Sequence, residues 1–518
     1  MTTTRPVRAA LVAASAVLAL LAASLAAPGP PAAAGPAAAA GPAGALTVTP
    51  ERHYPGQLLT WTGNLGVPGR QQVRLQKHLN RAGDTWEEVP GSGAWTAEDG
   101  SFSFTFPAPA MRGISYRVVG DGVATDDHLF WADHQEVTLE ARSPVAGKRF
   151  RVVVDTAAAS PIVLPGRAVS LQRRLGDGWE TVATGAADDE GRAVLRTRVR
   201  QPGTVVYRAR AEDWTDNGDQ VGWFPSFPTY VDVASATARN ADRAVVPEVP
   251  PTPAASRVPT IPVSASPTAS GTYGWHGKLY DFAWAYGESL TSPPYGGSQR
   301  ARGWWEDRSD GTARAYVRNG GLEIATSPGG RGGPGDLGSA SATLHDQPRT
   351  TGRWEIRHRS DTYERASGRY RVLVELVPDS AAHDGCEAQT ITIAELDPLG
   401  STARIGARSG ARSWTRSVAG VAQGMSRSRN YAVEVTERRI TWFFDGEVVG
   451  TLRDPAALPR EPMTVRLSLV GEGSPEAGQP EMNATRLLFD WVRGWDLDGG
   501  HRPPRGPRLR EGTYDGGC

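Results

Sequence analysis

The chain has 518 residues but only two cysteines, Cys386 and Cys518. Disulfides therefore cannot be what stabilises a chain of this length. The two thiols could pair with each other, Cys518 could bond another chain, or both could stay unpaired. Net charge is absent as well, because 56 lysines and arginines balance 56 acidic residues, and no basic block argues for nucleic acid. Sustained helical periodicity is also missing, and short alternating runs between turn residues indicate an all-β protein.

Long hydrophobic runs are equally scarce. The single apolar run, from Ala9 to Leu25, follows Arg5 and Arg8 and is too short to span a membrane. Residues 1–26 are therefore predicted to be a secretory signal peptide, and the Ala/Pro/Gly tract of residues 27–45 is predicted to be disordered. Since no second span and no C-terminal sorting signal follows, we expect a secreted, extracellular protein with no membrane span in its mature chain.

The first half of the chain contains an internal repeat. Three segments recur in the same order one domain length apart: Val73-Arg74-Leu75-Gln76, Trp86-Glu87 and Tyr116-Arg117, then Val169-Ser170-Leu171-Gln172, Trp179-Glu180 and Tyr207-Arg208. Each unit has the size and strand spacing of an immunoglobulin-like sandwich, which predicts two such domains over residues 46–133 and 134–235. Trp86 and Trp179 are expected to fill the cores of these sandwiches.

Two further segments have the composition of connectors. Residues 236–270 are rich in proline, serine and threonine, and such a linker is semi-rigid, so we expect it to hold the following domain away from the first two. Residues 497–518 contain Pro503-Pro504 and several arginines and are predicted to be a disordered tail. The region between them, residues 271–496, is expected to form a third domain.

The most informative segment of this third domain runs from Thr390 to Glu395. Thr390 and Thr392 alternate with Ile391 and Ile393, which predicts a strand with the isoleucines on its core face. Strict alternation would place Glu395 on the isoleucine side, and burying an unpaired carboxylate there is costly. A one-residue bulge near Ile393 would turn Glu395 onto the threonine face instead. We therefore expect Thr390, Thr392 and Glu395 side by side.

This spacing resembles the Glu-x-Asp-x-x-Glu strand of family-16 glycoside hydrolases, the laminarinases and their relatives. Other segments resemble further strands of that family and occur in the family's order: Asp281-Phe282, Asn319–Ile324, Gly352–Arg357, Tyr431–Thr436, Ile440–Gly446 and Leu488–Arg493. The resemblance implies a concanavalin A-like β-jelly roll, in which one sheet curves into a cleft for long sugar chains. The expected fold is thus all-β, with two tandem immunoglobulin-like sandwiches followed by this jelly roll.

The catalytic motif is incomplete by comparison with the family. The family's nucleophile position is Thr390 here, its tuning position is Thr392, and the resemblance leaves Glu395 as the candidate acid/base. A retaining glycosidase needs two carboxyl groups about 5–5.5 Å apart, and a threonine lacks the required charge. An alternative register takes Glu395-Leu396-Asp397 as the Glu-x-Asp half, but it puts Pro398 inside a central strand, where a ladder hydrogen bond is lost.

Nearby residues could complete the site. Glu375, Asp384 and Glu387 flank the strand, and one of them could serve with Glu395 in an inverting mechanism, which needs a gap of about 6.5–9.5 Å. An outward-facing or edge position is the alternative for Glu375. Tyr370 and Trp414 are candidate platforms for stacking on sugar rings, with core packing as the alternative for Trp414.

No metal or cofactor is expected from the sequence, because His345, His358 and His383 show no recognised metal-ligand spacing. Family-16 domains often carry a structural calcium bound by backbone oxygens, which a sequence pattern does not reveal. The preferred hypothesis is binding of a polysaccharide, such as a β-glucan or galactan, because the catalytic pair is one carboxylate short. A divergent endo-acting hydrolase with Glu395 as acid/base is the alternative, and a structural cell-surface protein is a third.

Overall fold

The computed structural model describes residues 44–80, 84–176, 178–236, 266–292, 303–309, 311, 313–326, 339–363, 370–380, 388–424, 427–471 and 484–514. The predicted signal peptide and most of the predicted linker lie outside these residues. So do Asp384, Glu387, His383 and both cysteines. Their predicted roles therefore stay predictions.

The first β-sandwich comprises the described strands β1 (Leu46–Thr49), β2 (Leu58–Asn64), β3 (Gln72–His78), β4 (Glu87–Glu88), β5 (Ala94–Trp95), β6 (Ser101–Pro107), β7 (Ile114–Gly120), β8 (Val123–Ala124) and β9 (His128–Phe130). One sheet has the order β1-β2-β6, and the other is built around the β3–β7 pair. Alternate residues of the strands face inward, so Leu59 and Trp61 of β2 are fully buried against Val73 of β3.

The second β-sandwich repeats this plan with β10 (Thr138–Arg142), β11 (Arg149–Asp155), β12 (Ala168–Leu175), β13 (Gly178–Ala186), β14 (Arg192–Arg198), β15 (Gly203–Ala211), β16 (Trp214–Asp216), β17 (Asp219–Val221), β18 (Phe224–Pro225) and β19 (Thr229–Val233). A sheet of order β10-β11-β14 packs on a sheet of order β13-β12-β15-β18, which β19 joins through β15, and β16 and β17 form a hairpin. The immunoglobulin-like assignment of both sandwiches stays a prediction.

The C-terminal sandwich begins with α1 (Ala269–Thr272) and includes a 3-10 helix (Pro455–Ala457). Its described strands are β20 (Lys278–Phe282), β21 (Trp304–Ser309), β22 (Arg314–Arg318), β23 (Gly321–Ala325), β24 (Ala340–His345), β25 (Gly352–Tyr363), β26 (Tyr370–Pro378), β27 (Thr390–Leu396), β28 (Thr402–Ser409), β29 (Arg412–Ala419), β30 (Arg429–Thr436), β31 (Arg439–Phe444), β32 (Glu447–Leu452), β33 (Met463–Gly471), β34 (Ala484–Trp495) and β35 (Arg510–Thr513).

These strands form two eight-stranded antiparallel sheets that pack face to face. The front sheet has the order β21-β24-β33-β26-β27-β28-β29-β35, and the back sheet has the order β22-β23-β34-β25-β30-β31-β32 with β20 paired to β34. Val372 and Val374 of β26 point into the core, while Arg371, Leu373 and Glu375 alternate with them on the opposite face. We call that opposite face of the front sheet the open face. The all-β fold with a two-sheet jelly roll is confirmed.

The three sandwiches pack directly on one another. Arg314 of β22 donates hydrogen bonds to both carboxylate oxygens of Glu136 at 3.1 Å, and Arg208 of the second sandwich forms an ion pair with Asp307. The Ala110 amide of the first sandwich donates to the Ala285 carbonyl at 2.8 Å. The expectation that a linker holds the third domain apart is therefore wrong, because buried charged groups and backbone hydrogen bonds join the domains.

The repeat tryptophans are placed differently from the prediction. Trp86 and Trp179 are half-buried rather than core residues, and each lies under the arginine of its own repeat. The Arg117 guanidinium is 4.1 Å from the Trp86 ring centroid, and that of Arg208 is 4.4 Å from the Trp179 ring centroid. A guanidinium stabilises an aromatic face electrostatically, which explains why the Trp and Tyr-Arg motifs recur together.

The C-terminal segment also differs from the prediction of a disordered tail. Residues 510–513 form β35, which pairs with β29 at the edge of the front sheet. Upstream, the Thr451 amide donates to the Pro507 carbonyl at 3.0 Å, and Leu509 is buried. Composition suggested disorder, but edge pairing and one buried leucine order this segment. Within the described residues, no helix has the length and apolar character needed to cross a membrane.

Candidate functional site

The strand β27 carries the bulge that the sequence predicts. Glu375 of β26 pairs with Thr392 of β27, whereas the residue before Glu375 pairs with Ala394. Ile393 is therefore the extra residue, and the ladder to β28 is irregular at the same point. Because a bulge shifts the alternation of side chains by one position, Ile393 stays fully buried while Glu395 leaves the core.

Thr390, Thr392 and Glu395 consequently share the open face, as expected. Their cross-strand partners in β28 are, in order, Arg408, Gly406 and Arg404. Paired residues of adjacent strands point to the same face of a sheet, so two of the three positions have an arginine neighbour. The structure brings the three residues together, and their contact with a sugar stays a prediction.

The Glu395 carboxylate is held between two arginines. Arg371 Nη1 donates a hydrogen bond to Oε1 at 2.8 Å, and Arg404 Nε donates to Oε2 at 2.6 Å. The Glu395 side chain is 13% exposed and lines a shallow pocket with both arginines, Asp397 and Thr402. Both carboxylate oxygens thus accept charge-assisted hydrogen bonds. The carboxylate is therefore held in place by two guanidinium groups.

The second carboxylate near the bulge belongs to Glu375. This residue lies on β26 between β33 and β27, so of the predicted outward-facing or edge position the edge is wrong, whereas the side chain does face away from the core. It faces Thr392 on one side and Arg466 on the other, and Arg466 Nη2 donates to Glu375 Oε2 at 3.2 Å. Glu375 is buried, which is tolerated because its charge is paired. It therefore belongs to the same face as Glu395.

The two aromatic candidates are buried, and Tyr370 borders the shallow pocket of Glu395 from the core side. Tyr370 and Trp414 are both 2% exposed and belong to the hydrophobic core between the front and back sheets. Trp414 pairs with Ala407, a core-facing residue of β28. Neither ring is accessible for stacking on a sugar, so the predicted platform roles are corrected to core packing. The packing alternative for Trp414 is the one that the structure supports.

The alternative register of the catalytic motif is also excluded. β27 ends at Leu396, and the Asp397 carboxylate accepts a hydrogen bond from the Leu399 amide at 2.9 Å. Asp397 thus begins a turn in which Pro398 lies outside the strand. The pairing of Glu395 with Asp397 as a Glu-x-Asp motif on one strand is wrong, because the strand has ended before the aspartate.

A guanidinium and an exposed ring that the sequence did not single out complete the face. Arg408 pairs with Thr390, and its Cζ lies 4.4 Å from the centroid of the Tyr514 ring. Tyr514 is 39% exposed and follows β35, in the segment predicted to be disordered. No described residue accepts a hydrogen bond from Arg408 Nε. The strand alternation would have placed Arg408 on this face once the bulge was known, but nothing in the sequence signals that Tyr514 reaches it.

The histidines do not form a metal site in the described part of the chain, where no group of three potential ligands is close enough to hold an ion. His345 Nε2 lies 3.2 Å from Glu306 Oε2 on the front sheet. His358 is buried on the back sheet, and burial lowers its pKa to about 3. It is therefore neutral at physiological pH.

Comparison with known proteins gives similarities of fold only. No protein family matches the chain, and no curated protein sequence matches it. Among solved structures, part of the chain is similar to the catalytic domain of an endo-1,3-β-glucanase (laminarinase) from Thermotoga petrophila RKU-1. The identity is 18% over 36% of this chain and 81% of that one, with a TM-score of 0.27.

Two further solved structures have comparable similarity. A GlcNAcα1-4Gal releasing endo-β-galactosidase from Clostridium perfringens is 16% identical over 46% of this chain and 67% of its own, with a TM-score of 0.33. A non-specific endo-β-1,3(4)-glucanase from glycoside hydrolase family 16 is 15% identical over 35% of this chain and 73% of its own, with a TM-score of 0.26. Each of these similarities covers less than half of this chain.

Proposed function

We propose that this protein is secreted and that its C-terminal sandwich binds a polysaccharide on the open face without hydrolysing it. The observation that carries the proposal is the position of Glu395, the one catalytic carboxylate that the family resemblance retains. Its two oxygens accept hydrogen bonds from Arg371 and Arg404. Since retaining hydrolysis needs a nucleophile and a proton donor, the absence of the family's carboxylates at Thr390 and Thr392 removes the first. The clamp on Glu395 removes the second.

The same residues suit sugar binding. Threonine hydroxyls both donate and accept hydrogen bonds, which matches the hydroxyl groups of a sugar. Thr390 and Thr392 are two residues apart on β27 and share the open face. On the neighbouring strand β28, Arg408 is opposite Thr390 and Arg404 is opposite Glu395. The arginines supply several donors in fixed geometry. Thr392 is partly exposed whereas Thr390 is buried, so a polymer that crosses the strands would meet the Thr392 hydroxyl and guanidinium groups rather than a pair of carboxylates.

Hydrolysis is the second candidate, because Glu375 and Glu395 share the open face on adjacent strands. Glu395 is opposite Leu373, so Glu375 is its diagonal neighbour. Inverting glycosidases use two carboxyl groups about 6.5–9.5 Å apart, and these are the two described glutamates near the bulge that share one face. Against this, the Glu375 carboxylate is bonded to Arg466 and is buried. Both carboxylates would have to leave their arginines to act.

Affinity gel electrophoresis tests binding, with the secreted chain run through gels that contain laminarin, lichenan, agar or carrageenan. Reducing-sugar assays on the same polymers test hydrolysis, beside Glu375→Gln and Glu395→Gln. We expect retardation on at least one polymer and no release of reducing ends. Turnover that either substitution abolishes would establish the hydrolase instead. Neither retardation nor turnover on any polymer would contradict both candidates and favour a structural protein.

A further inference from the structure

The open face carries more arginine than acid. Cross-strand pairing places on it, from the strands of the front sheet, the six arginines Arg308, Arg371, Arg404, Arg408, Arg466 and Arg510. The glutamates that the same pairing places there are the three residues Glu306, Glu375 and Glu395. These counts cover the described strands. A chain that is neutral overall thus concentrates positive charge on one face of one sheet.

Each of these glutamates is already matched by a cation. Glu306 lies 3.3 Å from Arg308 and 3.2 Å from His345. Glu375 pairs with Arg466, and Glu395 pairs with both Arg371 and Arg404. Each of the three glutamates therefore has at least one arginine partner, and arginines outnumber glutamates on the described part of this face.

Arg408 contributes to this excess of positive charge. Its guanidinium stacks on the Tyr514 ring, and it forms no ion pair with any acidic residue in the described parts of the chain. It lies beside Thr390, so hydroxyl, guanidinium and exposed ring meet at one place on the open face. Stacking on an aromatic ring fixes the orientation of a guanidinium. The N–H edge of a guanidinium is the part that recognises a planar or tetrahedral oxyanion, and in Arg408 the Nε of that edge has no hydrogen-bond acceptor among the described residues.

We infer that the open face binds an anionic polysaccharide, with Arg408 contacting an acidic substituent of the polymer and Tyr514 contacting a neighbouring sugar ring. This inference rests on the proposed function and narrows it to a substrate class. A guanidinium binds a carboxylate or a sulfate through two parallel hydrogen bonds, whereas a neutral glucan offers no charge to compensate the excess of arginine. Sulfate esters and uronate carboxylates share this chemistry.

Isothermal titration calorimetry of the full secreted chain tests the inference at 150 mM NaCl with four probes. Dextran sulfate presents sulfate groups, polygalacturonate presents carboxylates, laminarin is neutral, and inorganic polyphosphate is anionic without sugar. We expect one of the two anionic polysaccharides to bind at least about tenfold more tightly than laminarin and polyphosphate, which identifies the substituent. Arg408→Gln should weaken that binding about tenfold, because it removes charge-assisted hydrogen bonds to the acidic substituent.

Arg438→Gln is the matched control, because Arg438 is exposed in the turn between β30 and β31 of the back sheet. It should leave the affinity unchanged. Equal effects of the two substitutions would overturn the inference, as would polyphosphate binding as tightly as the anionic polysaccharides. Tighter binding of laminarin would overturn the anionic substrate class and leave the proposed function intact. Absence of binding to every polysaccharide would contradict the proposed function itself.

Discussion

Arg371 Nη1 donates a hydrogen bond to Glu395 Oε1 at 2.8 Å across the β26–β27 pair. The arginine lies two residues from the direct cross-strand partner of Glu395, so both side chains point to the open face. With the second contact, from Arg404, it pairs both oxygens of Glu395, the candidate acid/base of the family resemblance, with guanidinium groups.

Replacing Glu395 with glutamine should strengthen binding of an anionic polysaccharide. The substitution removes a negative charge from the open face and releases the charged hydrogen bond of Arg404 to this side chain. These side chains are partly exposed, so solvent screens the change and the affinity should rise only about two- to fivefold. Titration calorimetry measures it, with Glu447→Gln on the back sheet as the control. Weaker binding by the Glu395 variant would show that the carboxylate itself contacts the sugar.

Trp414 and Tyr514 should respond in opposite ways to substitution by alanine. Trp414 is in the core, so Trp414→Ala should lower the free energy of unfolding by about 3–5 kcal/mol. Tyr514 is exposed, so Tyr514→Ala should leave thermal stability nearly unchanged and reduce polysaccharide affinity about two- to tenfold. Calorimetric melting and titration distinguish the two effects. Loss of affinity without loss of stability in the Trp414 variant would restore Trp414 as a sugar platform.

Arg314 should be a principal contact between the second and C-terminal sandwiches. Its side chain is 1% exposed, pairs with Glu136 and lies 3.6 Å over the Phe227 ring centroid. Arg314→Ala leaves the Glu136 carboxylate without its partner and should cost about 3–5 kcal/mol. Differential scanning calorimetry should show a lower melting temperature, and X-ray scattering should show a larger radius of gyration.

Arg142→Ala provides the control for Arg314, because it removes an arginine from an exposed ion pair with Glu140 in the second sandwich. Exposed pairs contribute little, so the melting temperature and the radius of gyration should both stay close to those of the unaltered chain. If the Arg314 variant behaves in the same way, the sandwiches do not depend on this contact for their packing.

Glu288 should make stability depend on pH near neutrality. Burial raises its pKa to about 7, and its Oε2 accepts a hydrogen bond from the Tyr286 amide at 2.6 Å. Between pH 4.5 and 7 the unfolded chain releases this proton while the folded chain keeps it, so the free energy of unfolding falls as pH rises through this window. Below pH 4.5 the stabilisation that comes from protonated Glu288 is fully present, and above pH 7 it is lost.

Glu288→Gln should remove that part of the pH dependence, which is on the order of 3 kcal/mol. Denaturant unfolding at pH 5, 6, 7 and 8 measures it, and the variant should gain stability relative to the unaltered chain as pH rises. Glu51→Gln, at an exposed glutamate, is the control for loss of any carboxylate. Parallel stability profiles for the Glu288 variant and the unaltered chain would contradict a buried, protonated carboxyl.

The strand architecture near the site follows from local pattern. The alternation of Thr390 to Ile393 and the cost of burying Glu395 together predict the bulge, and the β26–β27 register contains it. The alternation and the bulge both depend on residues that are neighbours in the sequence, so the tertiary fold is not needed to predict them. The all-β class follows in the same way from the density of short alternating runs.

Properties that depend on long-range packing were less predictable. Tyr370 and Trp414 are polar-tipped aromatics in strands, and only the core between the two sheets determines that both are buried. Composition argued for a disordered tail, whereas pairing of β35 with β29 orders it and brings Tyr514 to Arg408. The arginine excess on the open face is likewise visible only when strands distant in sequence are placed in register.

The most direct test of the central claim follows the chain length of a polysaccharide that the protein binds. The polymer is incubated with the secreted chain for several days, and its molar mass is followed by size-exclusion chromatography with light scattering, beside Glu395→Gln. We predict that the bound polymer keeps its full molar mass with both proteins. A progressive fall in molar mass with the unaltered chain, absent with Glu395→Gln, would contradict binding without hydrolysis and establish Glu395 as a catalytic residue.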